Sequence, residues 1–152
     1  VWGPSDFFAH STPGRHGRVT IDVPAELGKG FDSELGLTYV ELGPDGGTAR
    51  LTIDDRLLQP WGIVHGGVYC SIVESLASVS GQLWLSEHGG GHVVGVNNNT
   101  DFLRAISSGT VTAVSRPIHR GRRQQLWQIT ITDDDDRVVA LGQVRLQNMP
   151  AE

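Results

Sequence analysis

The sequence predicts an α+β domain, an antiparallel sheet wrapped around one long central helix. Three observations carry this. Only one stretch, Gly66 to Ser86, has the length and apolar spacing of a substantial helix. Two β-rich runs joined by a glycine-rich turn precede it, and about four strand-like runs follow it. One helix cannot cover both faces of such a sheet, so another edge or face is expected to be buried against a second copy of the chain.

The totals agree with a single domain. The chain has 152 residues, 38% hydrophobic and 19% charged, an ordinary globular composition. The net charge of −5 and the lack of a basic tail argue against a nucleic-acid partner. Cys70 is the one cysteine, so no intrachain disulfide forms and a reducing, cytoplasmic setting is expected. No apolar run reaches the roughly 18 residues needed to span a membrane, and the amino-terminal stretch, which starts with Val1, has no secretory pattern.

Residues 1–30 are expected to form a tail and a short strand, and residues 31–148 the folded domain. Residues 1–17 mix Gly, Pro, Ser and His without period, with Trp2, Phe7 and Phe8 as candidate anchors. Arg18 to Val23 alternates like a short strand, and Asp32 or Ser33 suits the cap of a brief helical turn ending at Leu35. Leu37 to Leu42 and Ala49 to Ile53 form a hairpin about Gly43-Pro-Asp-Gly-Gly47. An irregular connection from Asp54 to His65 leads into the helix. After Gly89-Gly90-Gly91, strands are expected at His92–Arg104, interrupted near Asn97-Asn98-Asn99, then at Thr110–Ile118, Gln125–Thr132 and Arg137–Gln147, as a meander. In the third of these, Gln125, Trp127, Ile129 and Ile131 share one side.

At 100° per residue, Val68, Tyr69, Ile72, Val73, Leu76, Val79 and Leu83 make the apolar stripe of the helix. The opposite side collects Cys70, Ser71, Glu74, Ala77, Ser78 and Gly81. Glu74 is the only charged residue from Gly66 to Ser86. A face of small residues around one acid suits close approach by a ligand or a partner chain, and Glu74 is the candidate for the chemistry.

Gly66 and Gly67 open the helix, where the first amides lack intrahelical acceptors and suit an oxygen that becomes negative in a transition state. Eight residues separate Gly66 from Glu74, about 12 Å of helix rise. Both groups would have to lie within about 3 Å of the reacting atoms. If they act on one carbonyl, they come from different chains whose helices meet antiparallel, giving a dimer with composite sites.

Arg104, Arg116, Arg120, Arg122 and Arg123 crowd five of the twelve basic residues into twenty positions. The concentration at His119-Arg-Gly-Arg-Arg-Gln124 suits a phosphorylated ligand, with solvated strand ends as the alternative. The histidines show no metal-ligand spacing, Asp133 to Asp136 is not a calcium loop, and no Gly-x-Ser-x-Gly is present. Neither a metal nor a cofactor is expected.

Gln59-Pro-Trp-Gly-Ile-Val-His65-Gly66-Gly67, with Glu74 nine residues after His65 and Ser78 four beyond Glu74, closely resembles the motif of hotdog-fold acyl-CoA thioesterases. The nearest branch is the PaaI and Arthrobacter-type 4-hydroxybenzoyl-CoA thioesterase family, above all its uncharacterised actinobacterial members. The likeness runs from Phe31 to Asn148, through Val94-Gly95, Arg104 and Pro117-Ile-His119-Arg-Gly121-Arg-Arg-Gln124. It implies hydrolysis of an aromatic or medium-chain acyl-CoA by homodimers that often pair into homotetramers. It assigns the catalytic carboxylate to Glu74 and the carbonyl-polarising amide to Gly66. Gln59 and His65 would orient the thioester and the leaving group, and Ser78 would place water or a substrate hydroxyl. Gly95, Phe102, Leu103, Arg104, Ala105, His119, Arg120, Gly121, Arg122, Arg123 and Gln124 fall on segments that contact acyl group, pantetheine or nucleotide. Ala105 stands where the family usually has Pro, and Asn99 to Leu103 departs from the enterobacterial pattern. Both departures bear on acyl specificity. The competing class is a non-catalytic module that binds or senses acyl-CoA. A hydratase is disfavoured by the missing Asp-x-Asn-x-x-His pattern.

Overall fold

The computed structural model describes residue 27 and residues 29–152. The expected tail, the strand at Arg18–Val23 and the anchors Trp2, Phe7 and Phe8 lie outside the described residues. A short helix α1 (Phe31–Leu35) leads into β1 (Thr38–Gly43) and β2 (Gly46–Thr52), which close a hairpin about Pro44-Asp45. A 3-10 turn (Asp55–Leu57) and a loop precede α2 (Gly66–Glu87). Then come β3 (His92–Phe102), β4 (Thr110–Arg120), β5 (Gln124–Thr132) and β6 (Val138–Met149). Asp32 does not cap α1: Gly30 occupies the cap without a side-chain bond, and Asp32 instead accepts from Tyr39 Oη at 2.6 Å and Ser75 Oγ at 2.5 Å. This pins α1 to β1 and α2.

The sheet is antiparallel throughout, in the order β1-β2-β4-β5-β6-β3. The expected four-strand meander holds only for β4-β5-β6. The chain leaving α2 crosses to the far edge, and β3 pairs with β6, the last strand. Its other edge faces no strand among the described residues. The Asn97–Asn99 run does not break β3.

The sheet curls round α2, and the core fills the space between them. Trp127, Ile129, Ile131, Val144 and Leu146 meet Tyr69, Ile72, Val73, Leu76 and Ala77, all buried. The buried stripe of α2 differs from the expected one. Ala77 and Gly81, placed on the open side by the angular reading, are buried, and a Cβ at Gly81 would strike Leu146 and crowd Trp127. Val79 and Leu83, expected in the core, are half-buried at its margin. Small residues let the sheet approach closely on the side of the helix where it curls over furthest. No helix among the described residues is long and apolar enough to cross a membrane.

Of the four register slips in the sheet, two set which side chains face the helix beside the expected site residues. In β3 the register slips at Val96, between Gly95 and Asn97. A bulge reverses the alternation of inward and outward side chains. Gly95 meets Glu74 before it, while Asn98 and Phe102 reach α2 after it. In β4 the slip falls at Ile118, between Pro117 and His119. There it turns Arg120 inward beside Trp127 and leaves His119 exposed.

Candidate active site

The amino end of α2 is built by the loop before it. Gln59 N donates to Ile63 O (2.8 Å), Gly62 N to Gln59 O (2.9 Å), and Trp61 N to Gln59 Oε1 (2.6 Å). Gly62 takes the positive φ of 84° that the turn needs. His65 is the N-cap, its Nδ1 accepting from Gly67 N at 2.8 Å. That bond fixes the neutral tautomer with the proton on Nε2. The two glycines therefore serve different ends. A Cβ on Gly67 would press on the His65 ring, and one on Gly66 would strike the ring of Phe102. The Gly66 amide, first of the helix, has no acceptor among the described residues.

Glu74 lies two turns further on, half-buried, against the inner face of β3. Its carboxylate occupies the space beside Gly95 where a side chain would stand. Asn98 Nδ2 donates to Glu74 Oε2 at 3.2 Å and to Cys70 O at 3.0 Å. No Lys, Arg or His pairs with Glu74 among the described residues. The carboxylate is thus oriented by one neutral amide and keeps lone pairs for a water or a substrate. Ser78, one turn beyond, lines an apolar groove of about 290 Å³ with Leu27, Leu42, Val79, Gln82, Leu83 and Val93.

The expected site residues therefore occupy three places. Glu74, Ser78 and Gly95 gather at mid-helix. Gln59, His65, Gly66 and Phe102 gather at the helix start, with exposed Leu103, Arg104 and Ala105 following Phe102. Leu103 and Arg104 are held there through Val139 O. His119, Gly121, Arg122, Arg123 and Gln124, with Gln147, line a third, polar recess of about 550 Å³. Arg120 is not part of it. Its guanidinium donates to Pro44 O and Asp45 Oδ1, both at 2.8 Å, and lies over the rings of Trp84 and Trp127. Trp84 is committed to Arg120 and to a stack on His88. Within one chain, Gly66 and Glu74 are not brought together.

Asn98 is the functional candidate that sequence reasoning missed. It stood only as part of a polar run, and counting from Gly95 by twos puts it on the wrong face. No group of three or more His, Cys, Asp or Glu among the described residues is arranged to hold a metal.

Comparison with known proteins adds to this geometry. Residues 62–140 match the family described as the thioesterase superfamily. A Mycobacterium tuberculosis protein provisionally described as an esterase is 63% identical over 133 residues, covering 86% of this chain and 95% of that one. Its solved structure superposes with a TM-score of 0.79 at 64% identity, over 80% of this chain and 98% of the other. The proofreading thioesterase EntH of Cronobacter sakazakii is 39% identical over 103 residues, covering 68% of this chain and 74% of that one. A mutant thioesterase from Pseudomonas aeruginosa has a TM-score of 0.80 at 30% identity, over 88% of this chain and 98% of the other.

Proposed function

The chain belongs to the thioesterase superfamily, a hotdog-fold hydrolase of that group, and from this premise we propose that it hydrolyses an acyl-CoA to the free acid and CoA. The observation that carries this is Glu74: a carboxylate on a helix face otherwise bare of charge, held by Asn98 and paired with no cation among the described residues.

The Gly66 amide donates to the thioester oxygen as it becomes negative, reinforced by the helix dipole. Glu74 attacks the carbonyl carbon, or takes a proton from the water that does. The C–S bond then breaks and CoA leaves as the thiolate, which takes up a proton; where Glu74 itself has attacked, water then cleaves the mixed anhydride, releasing the acid and restoring the carboxylate. Because about 12 Å of helix separates Gly66 from Glu74, the two act across a homodimer, each site drawing Glu74 from one chain and the amide from its partner. Pairing of dimers into tetramers goes with the same reading. The exposed edge of β3, with Val94, Val96 and Phe102 each about half exposed, supports the pairing.

The groove lined by Val79, Leu83 and Val93 takes the acyl group, with Ser78 and Gln82 offering it polar contacts. Its apolar walls suit an aromatic ring or a medium alkyl chain. Arg122 and Arg123 hold the phosphates of CoA. With one cysteine and no need of an oxidising compartment, the proposed setting is the cytoplasm.

The test is release of free thiol from a panel of aromatic and aliphatic acyl-CoAs, with Glu74→Gln beside the unaltered protein. Turnover is expected from at least one acyl-CoA, and a loss of about 10²-fold or more in the variant without change of oligomer. Binding without thiol release from any substrate would favour the sensing module instead.

A further inference from the structure

We infer that Asn148 is the positioning residue of the basic turn at Gly121–Arg123, and that it sets the backbone of this turn to receive the CoA phosphates. The inference rests on the reading that Arg122 and Arg123 hold those phosphates.

Asn148, near the end of β6, holds three successive carbonyls. Its Nδ2 donates to Gly121 O (2.9 Å) and Arg122 O (3.2 Å), and its backbone amide donates to Arg123 O (2.9 Å). In a planar trans peptide the N–H points opposite to the C=O. Drawing the carbonyls of Gly121 and Arg122 toward Asn148 therefore aims the amides of Arg122 and Arg123 away from it. Neither amide has an acceptor among the described residues. Successive outward amides flanked by two guanidiniums make a concave anion site. The same residues line the polar recess of about 550 Å³.

The orientation of Asn148 is fixed by chemistry. Carbonyls only accept, so Nδ2 must face Gly121 and Arg122, and Oδ1 must face a donor. Gln125 Nε2 supplies it at 2.8 Å and also donates to Gly81 O at 3.2 Å. Gln125 Oε1 in turn accepts from Trp127 Nε1 at 2.8 Å. Gln125 and Trp127 are fully buried. The turn is thereby anchored, through Asn148 and Gln125, to Gly81 of α2, two turns from Glu74. Buried amide chains of this kind tolerate no rotation of one member without stranding another.

The test compares an acyl-CoA with the matching acyl-pantetheine, which has the same thioester but no nucleotide. Asn148→Ala is expected to raise KM for the acyl-CoA about fivefold or more, as the loss of such a hydrogen-bonded support implies, and to leave KM for the acyl-pantetheine and both kcat values nearly unchanged. A merely structural role would move both substrates together, and that result, or no change in either, overturns the inference. Should Asn148→Ala fail to fold, Asn148→Ser, which keeps a donor too short to span both carbonyls, is held to the same comparison. The double variant Arg122→Ala/Arg123→Ala separates the two levels. If it does not raise KM selectively for the acyl-CoA, the phosphate reading falls and the inference with it. If it does and Asn148→Ala does not, the inference alone falls.

Discussion

The Glu74 carboxylate rests on Gly95, with Oε1 filling the space a side chain there would need. Position 95 lies in extended backbone that any residue can adopt, so the glycine answers to the carboxylate and not to the strand. The colliding group is the far end of a flexible side chain, which can swing aside at little cost. Gly95→Ala is therefore expected to fold and melt normally while kcat falls about tenfold or more, since small misplacements of a catalytic group are costly. Parallel thermal melts and thiol-release kinetics check this. Unchanged kcat would detach Gly95 from the site.

Asn98 offers a test by charge. Asn98→Asp replaces the amide that donates to Glu74 Oε2 with a second carboxylate. In the proposed mechanism the Glu74 carboxylate acts at the thioester carbonyl, and a second carboxylate beside it repels the oxyanion that develops there. Asn98→Asp is therefore expected to lower kcat by about tenfold or more, and Asn98→Ala, which removes the hydrogen bond but adds no charge, by less, as thiol-release kinetics will show.

Two tyrosines are expected to behave oppositely. The Tyr69 hydroxyl is buried with no hydrogen-bond partner among the described residues, whereas Tyr39 Oη donates to Asp32 Oδ2 at 2.6 Å. Tyr69→Phe should leave stability at neutral pH unchanged or raise it by up to about 1 kcal/mol, and Tyr39→Phe should lower it by about 1–2 kcal/mol. Urea titrations at pH 7 measure both.

Alkaline pH tests the same residues by linkage. Burial, with Asp133 adding to it, pushes Tyr69 up from 10.0 to about 12. Burial and the Asp32 contact push Tyr39 well above the tyrosine range. A raised folded pKa means stability held in full below the unfolded value near 10 and lost as pH climbs through the folded value. Unfolding free energy should therefore decline from about pH 10 upward, and less steeply in Tyr69→Phe. A flat profile from pH 9 to 12 would contradict the assignment.

Arg120 should part company with its neighbours. It clasps Pro44 and Asp45 of the β1–β2 turn and lies over two tryptophans, so Arg120→Ala is expected to lower stability by about 1 kcal/mol more than it raises KM for an acyl-CoA. Arg122→Ala and Arg123→Ala should do the reverse, as differential melting and KM measurements will show.

The legible parts of this chain are those with one dominant cause. The long helix, the hairpin about Pro44-Asp45 and the inward row Gln125, Trp127, Ile129, Ile131 follow from periodicity and turn chemistry, and the structure has them. Glu74 stands out as the one charged residue from Gly66 to Ser86. The illegible parts trace to a slip of one residue. Bulges at Val96 and Ile118 leave no mark in composition, yet they exchange inward and outward for every residue beyond. They hid Asn98 and misplaced Arg120. The strand order was equally silent, because pairing of β3 with β6 joins segments far apart in sequence. On α2 the angular stripe erred at Ala77 and Gly81, where the curled sheet reaches round the helix further than a flat one would.

The edge of β3 has one more consequence. From His92 to Phe102 it contains no Lys, Arg or Pro, the residues that commonly discourage stray strand pairing, and its outward backbone groups meet no strand among the described residues. Folding of a single chain would therefore finish before its protection does. In the proposed dimer, keeping out of aggregates is a collective property, reached only once that ribbon is covered. Substitutions along it should first betray themselves in the yield of soluble protein and in clumping at low temperature stress or high expression, well before any change in the rate of a surviving molecule.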